Sequence, residues 1–335
     1  MGESVTDARI LADALRDPAT TAGLDAAGWT ALLAIARAEQ LIGTLAHRLH
    51  GLEMPAAAAR ILDDARTSSA QGRTAALWEA EMARRALAPT GMPVILLKGT
   101  AYAAAGLAAG RGRSIGDLDI LVPRTRIEEA EACLLAAGWE WVKPDPYDDI
   151  YYRRWMHELP PLIHRERDRM IDVHHTILPL TARITPDADA LIADSVALEN
   201  GLRILSPADM LCHAAAHLFA DGDLAGGMRN LWDVHCLIEE FGIAGLEAKA
   251  ARHGLAAAVA RAARQANNLY GTTIPESWRI WGSADSFYLR RLLARDDWGR
   301  PARKVTRLAF YMRSHAIRMP LLMLAKHLFI KWRKK

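Results

Sequence analysis

RSIGDLDILV, residues 113–122, places two carboxylates one residue apart at the start of an aliphatic run. Successive side chains of a strand point to opposite faces, so Asp117 and Asp119 share one face while the leucine between them enters the core. Two neighbouring carboxylates on an apolar strand repel each other unless a cation lies between them. The segment therefore predicts a strand that either faces water at its end or binds a divalent metal such as Mg²⁺.

A glycine-containing turn lies upstream of this segment. The apolar run PVILL, residues 93–97, predicts a strand, and the Ala-rich residues 101–109 predict a helix. The start of a helix offers backbone N–H groups and a positive dipole end to a phosphate. Lys98 would supply a point charge, Gly99 would allow close approach of the phosphate, and Thr100 would cap the helix. The spacing differs from that of a Walker A loop.

A third carboxylate lies in a later predicted strand, residues 170–176. Asp172 and His174 share one face of that strand. Three carboxylates from two strands, beside a glycine turn at a helix start, predict a two-metal phosphoryl-transfer site. Arg113 would clamp phosphate oxygens, with a solvated turn as the alternative. His174 would orient a carboxylate or touch the acceptor, with a half-buried structural role as the alternative.

Changes in residue periodicity along the chain predict four regions. Residues 1–90 carry helical periodicity, residues 91–184 read as β-α-β-α-β-β-β, and residues 185–300 are helical again. Residues 301–335 form a basic amphipathic tail. The predicted fold class is α+β, with a small mixed-sheet core flanked by N-terminal and C-terminal helical segments.

Composition narrows the possible classes of protein. The chain has 335 residues, 51% of them hydrophobic, which excludes a disordered or fibrous protein. Its three cysteines form no CxxC pair, so a reducing cytoplasm is the expected location. The first residues lack a basic segment followed by an apolar run, which argues against a secretory signal. No uninterrupted apolar run reaches the roughly 18 residues of a membrane span.

The tail concentrates positive charge. Ten of the 42 Lys and Arg residues and none of the 39 Asp and Glu residues lie within residues 301–335. Leu321, Leu324 and Leu328 recur there at helical spacing. The pattern predicts either contact with an anionic partner or membrane surface, which would make the protein peripheral to a membrane, or a last helix packed on the body.

Two pairs at helical spacing lie in the predicted C-terminal helices. His213 and His217, four residues apart, would share one helix face as a metal pair or as packing residues, and no third ligand accompanies them. Arg229 and Asp233, also four residues apart, predict an ion pair that braces the helical region.

LKGTAY from Leu97, RSIGDLDILV from Arg113 and MIDVHHTIL from Met170 together closely resemble the uncharacterised nucleotidyltransferase family of the DNA polymerase β-like superfamily. WTALLAIA from Trp29 and the later PADMLCHAAAH and RNLWDVH resemble that family's flanking helices. The superfamily usually has Gly-Ser or Gly-Gly in its phosphate turn, where Lys98-Gly99 stands in this chain.

The resemblance implies an enzyme that moves a nucleoside monophosphate from an NTP to a hydroxyl or phosphate acceptor and releases pyrophosphate. It implies that Asp117, Asp119 and Asp172 hold two Mg²⁺ ions, with Mn²⁺ as the alternative. Asp172 would also help to remove the proton of the attacking hydroxyl. Lys98 and Gly99 would cradle the β- and γ-phosphates.

The acceptor stays open among a small molecule or sugar, a peptide or protein side chain, and an RNA end. An acidic body argues against long nucleic acid, because such binding depends on many Lys and Arg contacts to phosphate. The basic tail keeps nucleic acid open as a partner. The family resemblance implies a setting in small-molecule or peptide natural-product biosynthesis. The alternatives are a non-catalytic nucleotide-binding or scaffold protein of the same fold, and a toxin that modifies tRNA or protein.

Overall fold

The computed structural model describes residues 7–142 and 145–318, and its centre is a seven-stranded mixed sheet. The strands are β1 (Ile95–Leu96), β2 (Leu118–Leu121), β3 (Trp139–Trp141), β4 (Leu162–His164), β5 (Met170–His174), β6 (Val196–Ala197) and β7 (Arg203–Ile204). They lie in the order β3-β4-β5-β2-β1-β7-β6, with β2–β5 and β1–β7 parallel and the other pairs antiparallel. The predicted class, α+β with a mixed sheet flanked by helices, is confirmed.

Helices precede, interrupt and follow these strands. In the described residues they are α1 (Arg9–Arg16), α2 (Ala26–Ala38), α3 (Ile42–Arg48), α4 (Ala56–Leu87), α5 (Lys98–Ala104), α6 (Ile127–Ala136), α7 (Pro146–Trp155), α8 (Ala188–Ala193), α9 (Pro207–Ala216), α10 (Gly227–Phe241), α11 (Leu246–Arg252), α12 (Ala256–Tyr270), α13 (Ser283–Leu292) and α14 (Lys304–Arg318). A π-helical turn, His217–Asp221, continues α9. Of these helices, none combines the length and apolar character that a membrane span requires.

The central strands form because their aliphatic side chains are buried. Every residue of β2 is buried, and Ile120 and Leu121 have no exposed surface. Ile171 and Val173 of β5 are likewise buried. Each such side chain contributes roughly 1.5–3 kcal/mol through removal from water, so the aliphatic positions hold these two strands together. The polar positions of the same strands are therefore held in fixed places.

The prediction of a purely helical region after residue 185 is wrong at two places. Strands β6 and β7 lie in that region, and Arg203 N donates to Val94 O (3.0 Å) as β7 joins the edge of β1. Strands of two residues are too short to show a periodicity, which is why the sequence pattern does not reveal them. The boundary predicted at residue 184 therefore runs through the sheet.

Residues 246–270, within the predicted C-terminal helical region, form two helices rather than one. Gly254 has a φ of 68°, in the left-handed region, and this residue separates α11 from α12. Glycine adopts that conformation without steric cost, so the chain turns there. Helix α7 is a further element that the sequence pattern does not predict.

Two glycines bring the N-terminal helices into direct contact with the loop before β2. Gly112 has a φ of 65°, and a Cβ on it would collide with the backbone of Gly43 in α3. A Cβ on Gly43 would in turn collide with the carbonyl oxygen of Gly112. Thr44 Oγ1 donates to Arg111 O (3.3 Å) beside this contact. The loop is thus fixed, backbone against backbone, on the N-terminal region.

The last described helix has one packed side and one exposed side. Phe310 of α14 is fully buried, with ring contacts to Phe287 (4.9 Å) and Tyr288 (5.1 Å) between centroids. Val305 and Met312 are 83% and 64% exposed. The predicted stripe of Leu321, Leu324 and Leu328 lies outside the described residues.

Candidate active site

The register of the two central parallel strands brings the predicted acidic side chains together. Asp119 of β2 is paired with Asp172 of β5, and Leu121 with His174. Asp117 lies immediately before β2. One carboxylate oxygen from each of the three aspartates lies within 4.8 Å of the others. Residues 53 positions apart in the chain therefore form one acidic cluster.

Asp119 is the compensated member of this cluster. Lys98 Nζ donates to Asp119 Oδ1 (2.7 Å), and His174 Nε2 lies 3.0 Å from the same oxygen. Burial alone would raise the pKa of Asp119, but the neighbouring cation Lys98 and the His174 contact outweigh it and hold that pKa well below its usual range. Asp119 is therefore ionised at neutral pH.

Asp172 has the opposite electrostatic environment. Burial raises its pKa to about 7, and the negative charges of Glu158 and Asp119 act in the same direction. Ionisation of a carboxyl in that environment is unfavourable unless a cation binds beside it. The acidic cluster therefore holds more negative charge than Lys98 alone balances.

The donor set fits a divalent metal of the Mg²⁺ class. Such ions take carboxylate oxygens as ligands and retain positions for water or phosphate oxygens. Asp117 is exposed, so its carboxylate opens toward solvent rather than into the core. The excess negative charge around Asp172 is the kind that a bound cation relieves.

The turn after β1 differs from its prediction in one respect. Helix α5 begins at Lys98, with Leu97 at the N-cap and no side-chain cap. The prediction that Thr100 caps the helix is wrong, because the helix begins two residues before it. Thr100 is 1% exposed, and its Oγ1 has no hydrogen-bond partner within the described part of the chain. Its hydroxyl lies inside the protein rather than at the helix end.

Gly99 lies against the side chain of Arg113. A Cβ on Gly99 would lie 2.5 Å from Arg113 Nε, so a larger residue would displace the arginine. Lys98 has a φ of 48°, an uncommon left-handed conformation for a residue with a Cβ. That backbone strain is found where Lys98 contacts Asp119, which is typical of a functional turn.

Arg113 belongs to a buried ion network. Its guanidinium donates to Asp233 of α10, which also accepts from Arg229 Nη2 (2.7 Å). Arg229 Nη1 donates to Thr44 Oγ1 (2.6 Å), which ties α10 to α3. The predicted Arg229–Asp233 ion pair is confirmed. The role of Arg113 in binding phosphate oxygens stays a prediction. Asp233 already accepts a hydrogen bond from part of the Arg113 guanidinium.

A cavity of about 800 Å³ opens onto these groups. Its size is that of a small-molecule site. The charged side chains in its lining are Asp117, Asp119, Lys98, Arg113, Arg229 and Arg295. Each of these cations is paired with a carboxylate: Lys98 with Asp119, Arg113 and Arg229 with Asp233, and Arg295 with Glu39. The lining therefore carries no large excess of positive charge.

His213 and His217 lie close to this region but belong to no acidic cluster. Burial lowers the pKa of His213 well below its usual value and that of His217 to about 4, with the charge of Lys98 acting in the same direction. Both imidazoles are therefore neutral at pH 7. Among the described residues neither joins a group of three possible metal ligands. The packing interpretation is the favoured one.

Two residues near the cluster were not predicted. His157 and Glu158 lie on the segment before β4, and Glu158 forms an antiparallel bridge with His174. Their only signal in the sequence is a polar pair inside the apolar run WMHELPP. That signal gives no indication of the strand they face.

Comparison with known proteins shows the family. Residues 25–271 match the family model described as uncharacterised nucleotidyltransferase. The chain belongs to this family. The predicted resemblance is confirmed, and membership supports transfer of a nucleoside monophosphate in general terms.

Two other comparisons add little to this nucleotidyltransferase assignment. A solved structure of the antibiotic-resistance factor ANT(2'')-Ia, described as revealing substrate-regulated conformation dynamics, is 15% identical with a TM-score of 0.38. The match covers 56% of this chain and 95% of that chain. A search of the curated proteins found no match.

Proposed function

We propose that the protein is a divalent-metal-dependent nucleotidyltransferase. It transfers a nucleoside monophosphate from an NTP to a hydroxyl or phosphate of a small molecule, sugar or peptide natural product, and releases pyrophosphate. The observation that carries this proposal is the meeting of Asp117, Asp119 and Asp172 beside the Lys98-Gly99 turn. A carboxylate cluster of this kind with one cationic partner suits phosphate held together with metal ions.

Asp117, Asp119 and Asp172 would hold the metal, Mg²⁺ or Mn²⁺. When bound, two such ions supply charge neutralisation to the phosphates and the acceptor oxygen. Catalysis of this type depends on positioning and electrostatics rather than on a covalent intermediate. The protein's own contribution is to hold Asp119 and Asp172 side by side through strand register, with Asp117 immediately before the strand, so that little reorganisation is needed during the reaction.

The remaining residues would bind the nucleotide and move the proton. Lys98 and the glycine backbone after it would contact the β- and γ-phosphates, while Arg113 and His174 border them. The acceptor hydroxyl attacks the α-phosphorus, a new P–O bond forms, and the bond to the bridging oxygen breaks to release pyrophosphate. Asp172, beside the metal, would help to remove the proton of that hydroxyl.

A thermal-shift titration tests the nucleotide and metal requirement. The melting temperature of the protein should rise with each NTP in the presence of Mg²⁺ and stay near the ligand-free value with NTP and EDTA. Incubation of the protein with each labelled NTP and a cell extract should then yield a labelled acceptor product. Equal shifts with Mg²⁺ and with EDTA would contradict the proposal.

Two outcomes would indicate the alternative functions. Stabilisation by NTP and Mg²⁺ with no labelled product in any extract would indicate a non-catalytic nucleotide-binding protein. Growth arrest on expression, relieved by Asp119→Ala, would indicate a toxin that modifies tRNA or protein. A labelled sugar, peptide or small molecule supports the proposed acceptor class.

The proposed location is the cytoplasm, with contact to an anionic lipid surface through the C-terminal region. Helix α14 exposes Val305, Leu308 and Met312 on one side, and residues 301–335 contain no acidic residue. Apolar exposure beside unopposed positive charge suits a headgroup layer. The protein should sediment with phosphatidylserine vesicles and not with phosphatidylcholine vesicles. Binding to RNA without binding to either vesicle would contradict this part of the proposal.

A further inference from the structure

A second cluster of metal-ligating side chains adjoins the acidic one. It consists of His157, Glu158 and His174, whose possible ligand atoms all lie within 4.8 Å of one another. His174 Nδ1 lies 3.4 Å from Glu158 Oε2, and His157 Nε2 lies 3.7 Å from the same oxygen. One carboxylate oxygen is thus close to a nitrogen of each imidazole.

The backbone fixes these three residues in place. Glu158 is bridged to His174, and His175 N donates to His157 O (2.9 Å). Leu159 N donates to Val173 O (2.9 Å), so residues 157–159 lie along β5. A cluster whose backbone is hydrogen-bonded to a strand keeps its geometry better than one built on a free loop.

His174 has a buried nitrogen without a hydrogen-bond partner. Its side chain is 2% exposed, and its Nδ1 forms no hydrogen bond in the described structure. His157 Nδ1 is also buried and unpartnered. Buried polar atoms of this kind are rare in proteins, and each one calls for a cause such as an ion.

The other nitrogen of His174 determines what its Nδ1 can do. Nε2 lies 3.0 Å from Asp119 Oδ1, so the proton of a neutral imidazole belongs on Nε2, where it is donated to that carboxylate. The lone pair of Nδ1 then faces the Glu158 carboxylate, and two acceptors face each other. Metal-bound histidines usually donate their other N–H to a carboxylate in this way. A cation between Nδ1 and Glu158 resolves the conflict.

We propose that His157, Glu158 and His174 bind one transition-metal ion of the Zn²⁺ class, at a site separate from the three aspartates. Two imidazole nitrogens and one carboxylate oxygen form a donor set that suits Zn²⁺ and its neighbours and does not suit Mg²⁺, which prefers oxygen. Three protein ligands leave a coordination position open. His174 joins the two sites, because its two nitrogens face one site each. This proposal does not depend on the proposed nucleotidyl transfer.

Co²⁺ is the probe, because its visible absorption reports imidazole coordination. The full chain, stripped of metal and held in excess Mg²⁺ to occupy oxygen-only sites, should take up one equivalent of Co²⁺ with a visible absorption band. Zn²⁺ should displace the Co²⁺ and abolish that band. Glu158→Gln and His157→Gln should each lower Co²⁺ affinity about 10-fold to 100-fold or more.

Two control variants separate this site from the rest of the protein. Asp117→Asn changes the acidic cluster alone and should keep the Co²⁺ band. His50→Gln removes an exposed imidazole elsewhere and should also keep it. Circular dichroism of each variant shows whether it has folded.

Three results would overturn the proposal. The first is a wild-type protein that takes up no Co²⁺ in excess Mg²⁺, which would mean that a shared proton relieves the contact between His174 and Glu158. The second is a folded Glu158→Gln variant that binds Co²⁺ as tightly as the wild type. The third is a band lost in Asp117→Asn. If His157→Gln fails to fold, the wild-type spectrum and the Glu158→Gln variant still decide the question.

Discussion

Two sites in the molecule balance the negative charge of their carboxylates in different ways. One is the acidic cluster of Asp117, Asp119 and Asp172, and the other is the buried carboxylate of Asp233. Asp233 accepts from two guanidinium groups, those of Arg113 and Arg229, so its charge is balanced within the protein. The three aspartates of the cluster have one lysine ammonium, which contacts Asp119 alone. The first arrangement is closed, whereas the second retains uncompensated negative charge.

This difference separates a structural carboxylate from one available for binding. A balanced buried pair mainly holds elements together, and removal of either partner leaves a lone charge in the interior. An unbalanced cluster stores repulsion that a cation relieves on binding. Substitutions in the two clusters should therefore affect different quantities, the turnover in one and the free energy of unfolding in the other.

The largest expected effect is on catalysis in the acidic cluster. Asp117→Asn should lower nucleotidyl transfer by about 10³-fold or more, because it removes a metal ligand where charge develops. The exposed position of Asp117 means that the melting temperature should stay within about 1 °C of the wild type. Turnover with labelled NTP and thermal unfolding measure the two quantities.

Asp119→Asn provides an internal comparison. It should abolish transfer as well, but it also leaves Lys98 without its carboxylate and so should lower the melting temperature. Glu140→Gln, an exposed acid on β3, is the control for loss of a negative charge and should retain wild-type activity. Wild-type transfer by either aspartate variant would exclude these residues as metal ligands.

The next effect is on stability in the closed cluster. Asp233→Ala leaves the charges of Arg113 and Arg229 buried without a partner and should cost about 3–5 kcal/mol in the free energy of unfolding. Urea denaturation measures this change. The control is Asp63→Asn, which breaks an ion pair with both side chains substantially exposed and should cost about 1 kcal/mol or less. Equal losses in the two variants would remove the distinction between a closed pair and a surface pair.

The smallest effect is a pH dependence of metal binding. The raised pKa of Asp172, about 7, means that the metal-free folded protein holds a proton there that the unfolded chain releases near pH 4. This group therefore contributes stability at low pH that is lost as pH rises toward 7. Mg²⁺ must displace the proton below pH 7, so its affinity should increase between pH 6 and pH 8.

Calorimetry in two buffers of different ionisation enthalpy measures the released proton directly. We expect release of up to about one proton per Mg²⁺-bound protein at pH 6 and almost none at pH 8. Asp117→Asn should reduce the affinity at both values. An Mg²⁺ affinity that does not change across this range would mean that Asp172 does not bind the metal.

The alternating pattern of the strands predicts the acidic residues of the site, because a period of two determines which side chains share a face. Asp117, Asp119 and Asp172 were predicted from two strands, and the strand register brings them together. His157 and Glu158 could not be predicted, because their place depends on which strand pairs with residues 157–159. The register between two separate segments is a property of the folded chain. The sequence of one segment alone does not reveal which segment pairs with it.

Polar partners over long distances in the chain were also hidden. Arg113 and Asp233 are 120 residues apart, and the sequence around either residue does not predict their contact. The strands β6 and β7 were missed for a similar reason, since two residues in extended backbone fit any sequence. Local sequence patterns predict which side chains share a face of a helix or strand and where these elements end. The pairing of distant segments follows from packing in the folded chain.

The contact between Gly43 and Gly112 has a consequence for any attempt to isolate a minimal enzyme. The loop that ends in Arg113 rests on α3 with no side chain between the two backbones, so deletion of residues 1–90 would strip away its support. An excised sheet with its adjoining helices should bind NTP poorly even with all three aspartates present. Bulky replacements at either glycine should reproduce part of that loss in the intact chain.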